Sequence, residues 1–75
     1  MDKVALAYQD KAKGILRAEI KRRNLNYEDL AVRLAVLGVQ DNARNLSNKI
    51  ARGAFTAGFF LECLVAIGVK EVRID

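Results

Sequence analysis

Residues 25–53 have the sequence LNYEDLAVRLAVLGVQDNARNLSNKIARG, and this stretch decides the fold. It predicts two short helices that meet at a tight turn, the first after an N-cap at Asn26. The apolar side of this first helix consists of Leu30, Ala31, Leu34 and Leu37. Gly38 then interrupts the apolar pattern, as a helix-ending glycine does, and a second helix is predicted to begin at Asp41.

The second helix of this pair has an apolar inner side and a polar outer side. The inner residues are Ala43, Leu46 and Ile50. The outer residues, spaced i, i+3, i+4, i+7 and i+11 and therefore on one helix face, are Asp41, Arg44, Asn45, Asn48 and Arg52. Arginine and asparagine can each form two hydrogen bonds with a base edge in the major groove. The stretch therefore predicts a helix-turn-helix that reads DNA.

The whole chain has the length and composition of one small helical domain. Its 75 residues include no proline, three Phe and two Tyr, which favours helices over a β-sandwich. We predict an all-α fold over residues 1–75, a compact bundle of four to five helices that contains the helix-turn-helix. Residues 1–12 are predicted to be an N-terminal extension. A helix is predicted over 13–24, and residues 4–9 are either a separate turn or the start of a longer helix interrupted near Gly14.

The C-terminal third of the chain predicts one more helix and a strand. Thr56 is a predicted N-cap for a helix over 57–67. The residues of this helix that are predicted to face the core are Phe60, Leu64 and Ile67. Residues 69–75 then alternate between apolar and charged side chains, which predicts a short C-terminal β-strand with Val72 and Ile74 on one side.

The charge of the chain is positive and uneven. The net charge is +4; residues 1–26 carry seven Lys or Arg against three acids, and residues 41–53 carry three against one. The positive excess therefore lies in the first helix and in the candidate reading helix. This distribution suits an anionic partner, and double-stranded DNA is the partner that we expect.

Several protein classes are not expected. No apolar run approaches the roughly 20 residues of a membrane span, and no signal-peptide pattern follows Met1, so we expect a cytoplasmic protein without membrane association. The chain has no histidine and one cysteine, Cys63, which is predicted to be a buried apolar residue. Neither a disulfide nor a Cys/His metal site is therefore expected. Without a phosphate-binding glycine loop, a nucleophile elbow or a tight cluster of acids, we expect no enzyme activity and no cofactor.

Three segments of the chain resemble a known family. They are RRNLNYEDLAVRL (22–34), LSNKIARG (46–53) and FFLECLVAIGV (59–69). In this order, with a glycine-punctuated turn after the first, they resemble the lambda-repressor-like (Cro/CI-type) helix-turn-helix domains. Residues 15–74 look still more like a small bacterial domain family of unassigned function. The repressor resemblance implies a transcriptional regulator of the bacterial or phage type, with its third helix in the major groove.

The resemblance also implies roles for individual residues. In the repressor-like family the starts of the second and third helices contact phosphates, which places Tyr27 and Gln40 there. The reading face then places Arg44, Asn45 and Asn48 at the bases. Further predicted phosphate contacts are Lys49, Arg52 and Arg22. The chain departs from the family at Ala51, where an acid is usual, and at Tyr27, which replaces the polar residue that normally opens the second helix and reaches a phosphate, although the Tyr27 hydroxyl can still donate.

Other interpretations stay open at this point. The polar stripe would also suit an ordinary solvated helix face. The domain would alternatively be a protein-interaction module, antitoxin-like or adaptor-like, that receives a partner in a groove beside Phe59. A single-strand RNA binder is a more distant alternative, because the sequence predicts no aromatic platform on a sheet.

A homodimer is expected, because repressor-like proteins usually bind two half-sites. Antiparallel pairing of two C-terminal strands, along Val72 and Ile74, would join two copies across a two-fold axis. The replacement Val72→Asp would then produce monomers. The alternative contact surface is the apolar N-terminal segment with Val4, Leu6 and Tyr8.

Overall fold

The computed structural model describes residues 3–74, which form four α-helices. The helices are α1 (Lys3–Arg22), α2 (Tyr27–Val36), α3 (Ala43–Arg52) and α4 (Ala57–Ala66). This arrangement confirms an all-helical bundle with four members. The first helix is continuous from its start, so neither the separate N-terminal turn nor an interruption at Gly14 is found. Gly14 is exposed, and one glycine inside a helix costs only about 1 kcal/mol.

Side-chain caps determine where the helices begin. Asn26 accepts a hydrogen bond from the Asp29 backbone N–H at 2.8 Å, and the Asp29 carboxylate accepts one from the Asn26 N–H at 2.9 Å. Thr56 caps α4 in the same way, by accepting from the N–H of Phe59 at 3.0 Å. These two predicted caps are confirmed. The start of α3 differs from the prediction, because Asn42 caps it and Asp41 lies before the helix.

Two glycines end helices in the left-handed conformation, which their positions directly after the apolar patterns of α2 and α3 predict. Gly38, with φ of 90°, follows α2, and Gly53, with φ of 72°, ends α3. Gly53 is also a point of close approach. A Cβ atom at this position would lie 3.2 Å from the carbonyl oxygen of Gln9, so α1 passes the end of α3 at a distance that only glycine accommodates without movement.

The core lies where each of α1 and α2 packs against both α3 and α4. Its buried members are Leu16, Ile20, Leu30, Leu34, Leu46, Ile50, Phe59, Cys63, Leu64 and Ile67. Burial raises the pKa of the Cys63 thiol to about 12, so the thiol stays protonated and packs as an apolar group. Leu37 was predicted to lie inside but is 46% exposed, because α2 ends at Val36. Within residues 3–74, no helix combines the length and the apolarity that crossing a bilayer requires.

The predicted C-terminal strand is wrong. Residues 69–74 form no β-strand in the described part of the chain, and Asp75 lies outside it. The Val69 N–H donates to the Leu64 carbonyl oxygen at 2.9 Å, which closes the end of α4. Val72 then packs against the core of its own chain. The apolar alternation therefore reflects packing on a helical surface, and the strand edge through which Val72 and Ile74 were to pair two copies does not exist.

Candidate nucleic-acid interface

Helix α3 is held by its apolar side and presents a polar side to solvent. Leu46 and Ile50 are completely buried and fix the helix against the rest of the bundle. The predicted reading residues Arg44, Asn45 and Asn48 lie on the opposite side and are exposed. The predicted phosphate contact Arg52 is also exposed. No acidic residue lies within α3, whose sequence is ARNLSNKIAR. The outer surface of the helix is therefore positive and rich in groups that donate hydrogen bonds.

Most of these polar side chains are unengaged. Within residues 3–74, Arg44, Asn48 and Arg52 form no side-chain hydrogen bond or ion pair with another residue. Asn45, Asn48 and Arg52 line one shallow recess on α3, together with Lys49 and Ala51. Four of the predicted site residues are thus brought together along one helix, and two of them, Asn48 and Arg52, have donors that no other described residue engages.

Lys49 has a different environment, although it lines the same recess. Its ammonium Nζ lies 3.1 Å from a carboxylate oxygen of Asp41 and 4.7 Å from the centre of the Phe59 ring. The side chain of Asp41 is only 10% exposed. Lys49 therefore joins α3 to the segment before it and to α4. Phe59 is itself 7% exposed, so its ring offers no open groove to a partner.

The charge of Asp41 is stabilised by its neighbours. Burial raises the pKa of this carboxyl, but the hydrogen bond from the Asn42 backbone N–H at 2.9 Å and the Lys49 ammonium together bring the pKa below its ordinary value. The Asn45 amide also lies beside the carboxylate and contributes in the same direction. Asn45 is therefore partly engaged inside the molecule, in contrast to Asn48.

Replacing Asp41 by Asn should lower the free energy of unfolding by about 1–2 kcal/mol at neutral pH. Because the folded chain lowers the pKa of this carboxyl, its contribution is present above the ordinary value of 3.8 and is lost as the pH falls below it. Urea unfolding of the variant and the unaltered chain, monitored by circular dichroism at neutral pH and at a pH below 3.8, measures the difference in the free energy of unfolding. The control is Asp10→Asn, at a side chain that is 75% exposed. A deficit that persists at acid pH would contradict the role of the charge.

The predicted phosphate contacts at the helix starts lie at the edges of this surface. Tyr27 is the first residue of α2 and is half-buried, with its side chain packed partly against the core. Gln40 is exposed in the connection between α2 and α3. The first turn of α2 also contains the acids Glu28 and Asp29. A phosphate beside Tyr27 would therefore need additional positive charge close by.

Two basic residues of α1 supply that charge, and they were not among the predicted site residues. Arg17 and Lys21 line a hollow with Tyr27. Together with Lys13 they are spaced i, i+4 and i+8, so they form one row along α1. Lys13 donates to the carbonyl oxygen of Ala51 at 3.2 Å, near the end of α3. The row therefore runs from the end of α3 to the start of α2, and its spacing was the sequence signal for it.

Arg22, which was predicted as a phosphate contact, lies on another side of α1. Its guanidinium is 2.8 Å from the Glu19 carboxylate, which also pairs with Arg23 at 2.6 Å. The hydrogen bond from Arg23, together with both positive charges, holds the pKa of Glu19 below its ordinary value. Arg22 and Glu19 line a hollow with Glu71 of the C-terminal segment. The structure therefore does not bring Arg22 together with Tyr27.

Within the described residues, no group of three His, Cys, Asp or Glu is arranged to hold a metal ion.

The comparisons with known proteins give one family and no named relative. No curated protein and no solved structure matches the chain. One family model, the domain of unknown function DUF6471, matches residues 8–72, which include the last three quarters of α1 and the whole of α2, α3 and α4. The chain therefore belongs to the DUF6471 family.

Proposed function

We propose that this chain is a DNA-binding domain of the helix-turn-helix kind, a transcriptional regulator that inserts α3 into the major groove. One observation carries the proposal. Helix α3 contains no acid, and its exposed Arg44, Asn48 and Arg52 have no partner among the described residues. Unengaged arginine and asparagine side chains on one helix face are the groups that recognise guanine and adenine edges.

The side chains divide into two roles by position. Arg44 and Asn48 are four residues apart on the helix face opposite Leu46, so they point most directly away from the bundle and are assigned to bases. Asn45 reads a base if its amide leaves Asp41. Arg52, Gln40 and Tyr27 are assigned to phosphates, which fix the orientation of the domain without reading sequence. Lys49 mainly positions α3, because its ammonium already pairs with Asp41.

The basic row on α1 extends the proposed phosphate contacts. Arg17 and Lys21 flank Tyr27 and offset the acids in the first turn of α2. A duplex that lies along α3 would place its backbone near the start of α2 in a helix-turn-helix arrangement. The net charge of +4 favours such an approach at long range.

An ordinary solvated face explains α3 less well. Surface helices commonly carry Glu and Lys four residues apart, and α3 has no such pair. Asparagine is a poor helix former, which makes Asn45 and Asn48 costly inside a helix. The third asparagine of this region, Asn42, is explained by its capping hydrogen bond to the Asn45 N–H at 2.9 Å. The two asparagines inside the helix still favour a binding role.

The test is fluorescence anisotropy of a labelled random duplex, titrated with protein at several salt concentrations. We expect weak binding, with a dissociation constant of roughly 1–100 µM, that decreases steeply as salt rises, because bound cations are released from the phosphates. The double replacement Arg17→Ala with Lys21→Ala should reduce the slope of log affinity against log salt by about 2.

The matched control is Lys70→Ala, which removes one exposed charge from the segment after α4. We expect this variant to keep the slope of the unaltered chain. An equal reduction from Lys70→Ala would show only a general charge effect and would contradict an interface at Tyr27. No binding at the lowest salt would reject DNA binding and leave the protein-interaction module as the function to test.

A further inference from the structure

We infer that a groove between α1, α4 and the C-terminal segment is the contact surface for a second copy of this chain. The groove has a volume of about 360 Å³. Tyr8 and Ile15 of α1 form one wall, Phe60 and Leu61 of α4 the other, and Val72 and Ile74 close one side. Among the described residues that line the groove, Lys11 alone is charged.

The apolar surface continues beyond the groove along both helices. Tyr8 is 63% exposed, and Val4, one helical turn earlier, is 65% exposed. On α4, Leu61 is 59% exposed and Val65, one turn later, is 60% exposed. Helix spacing places Val4 beside Tyr8 and Val65 beside Leu61, so the apolar surface extends from the groove in both directions, and the largest apolar patch of a small domain is often functional.

The first turns of α1 supply the occupant of the groove. Helix α1 has 20 residues and α4 has 10, and the part of α1 that comes close to Gly53, at the end of α3, includes Gln9 and Lys13, after these first turns. The five residues 4–8, VALAY, carry no charge. One molecule therefore has both an apolar groove and an apolar helical ridge beside it. A surface that is complementary to itself in this way fits a two-fold contact, in which each copy places its ridge against the groove of the other.

The distribution of charge favours a second copy over an acidic partner. The basic row with Arg17 and Lys21, and the exposed arginines of α3, lie on other sides of the molecule, where an anion would bind. Two copies that each carry a net charge of +4 repel, so they need a contact surface with few charges. In an antiparallel crossing of α1 near Tyr8, Lys11 of one copy faces the region of Ala5 in the other and not a second Lys11.

The predicted dimer is weak and reversible. Burying one apolar side chain removes about 60–120 Å² from water, so a patch of this size buries roughly 500 Å² on each copy. The total of about 1,000 Å² lies at the lower end for a specific interface. A dissociation constant on the order of 10 µM is therefore expected. The contact leaves α3 open, and it does not depend on DNA binding.

Sedimentation velocity of the full chain without DNA, over roughly 1–500 µM, tests the proposal. The expected result is a monomer at the lowest concentrations and a dimer at the highest. Leu61→Glu should weaken association by about 10-fold or more, because it places a charge in the contact. The matched control is Val36→Glu on α2, at an apolar side chain that is 83% exposed and lies outside the groove, and it should associate like the unaltered chain.

A monomer at all concentrations would overturn the proposal. So would a dimer that Leu61→Glu leaves intact, or one that both variants abolish equally. Amide NMR chemical shifts of the unaltered chain, measured at increasing protein concentration, are a second test that requires no substitution. Shifts at Tyr8, Leu61 and Ile74 support the groove, and shifts confined to α3 contradict it.

Discussion

Replacing Leu46 by alanine is expected to lower the free energy of unfolding by about 2–5 kcal/mol. Leu46 is completely buried, and it holds α3 against the bundle. Alanine leaves a cavity that neighbouring helices cannot fill without moving, so both transfer free energy and packing are lost. A domain of 75 residues has a total stability of roughly 4–11 kcal/mol, so much of it would disappear.

Urea unfolding monitored by circular dichroism measures this loss. The matched control is Val36→Ala on α2, which removes an apolar side chain that is 83% exposed. Its stability should change by no more than about 0.5 kcal/mol, because little is buried and alanine favours helix. If Leu46→Ala and Val36→Ala had similar midpoints, the buried packing of α3 described above would be wrong.

Replacing Asn48 by alanine should weaken binding to a selected DNA site by about 1–3 kcal/mol, or roughly 5- to 150-fold. Asn48 is exposed at the middle of α3 and its amide has no partner within residues 3–74. Alanine removes both hydrogen-bonding groups of the amide without changing the charge. The site is obtained by selection from genomic fragments, and the affinities are compared at one salt concentration.

Two further measurements on the Asn48→Ala variant serve as controls. Affinity for a random duplex should stay unchanged, because no phosphate contact is removed. Stability should stay equal or rise slightly, since alanine is the better helix former. Equal losses on the selected site and the random duplex would contradict a base-reading role for Asn48. A loss that accompanied unfolding would show that Asn48 supports the fold.

The helix ends could be predicted because their causes are local. Asn26 and Thr56 bond to backbone groups three residues away, and Gly38 and Gly53 adopt a left-handed conformation that residues with a Cβ atom rarely adopt. Such interactions are visible in the order of residues alone. The apolar spacing of Leu46 and Ile50 likewise identified the buried side of α3.

The C-terminal strand was predicted wrongly because an alternating apolar pattern does not show whether a second strand lies beside it. Val72 and Ile74 repeat at a spacing of two, as strand residues do. A strand, however, needs another strand for its backbone hydrogen bonds, and the described chain offers only helices. Val72 instead contacts the core, and Ile74 lies along the groove of its own chain.

The candidate site was predictable where it follows one helix and not where it joins several. Arg44, Asn45 and Asn48 share a face because of helix periodicity. Their differing engagement, with Asn45 beside Asp41 and Asn48 without a partner, depends on where the connection before α3 passes. The position of Arg17 and Lys21 beside Tyr27 required the tertiary packing of α1.

The rotation and position of helix α1 are fixed by contacts at two places along it. These contacts restrict where residues can be inserted or deleted among relatives of this domain. Gln9 meets Gly53 at the end of α3, and farther along the helix Leu16 and Ile20 enter the core. One residue inserted between Gln9 and Leu16 would rotate the earlier part of α1 by about 100° and carry it away from α3. Insertions and deletions between Gln9 and Leu16 should therefore be eliminated among the relatives of this chain.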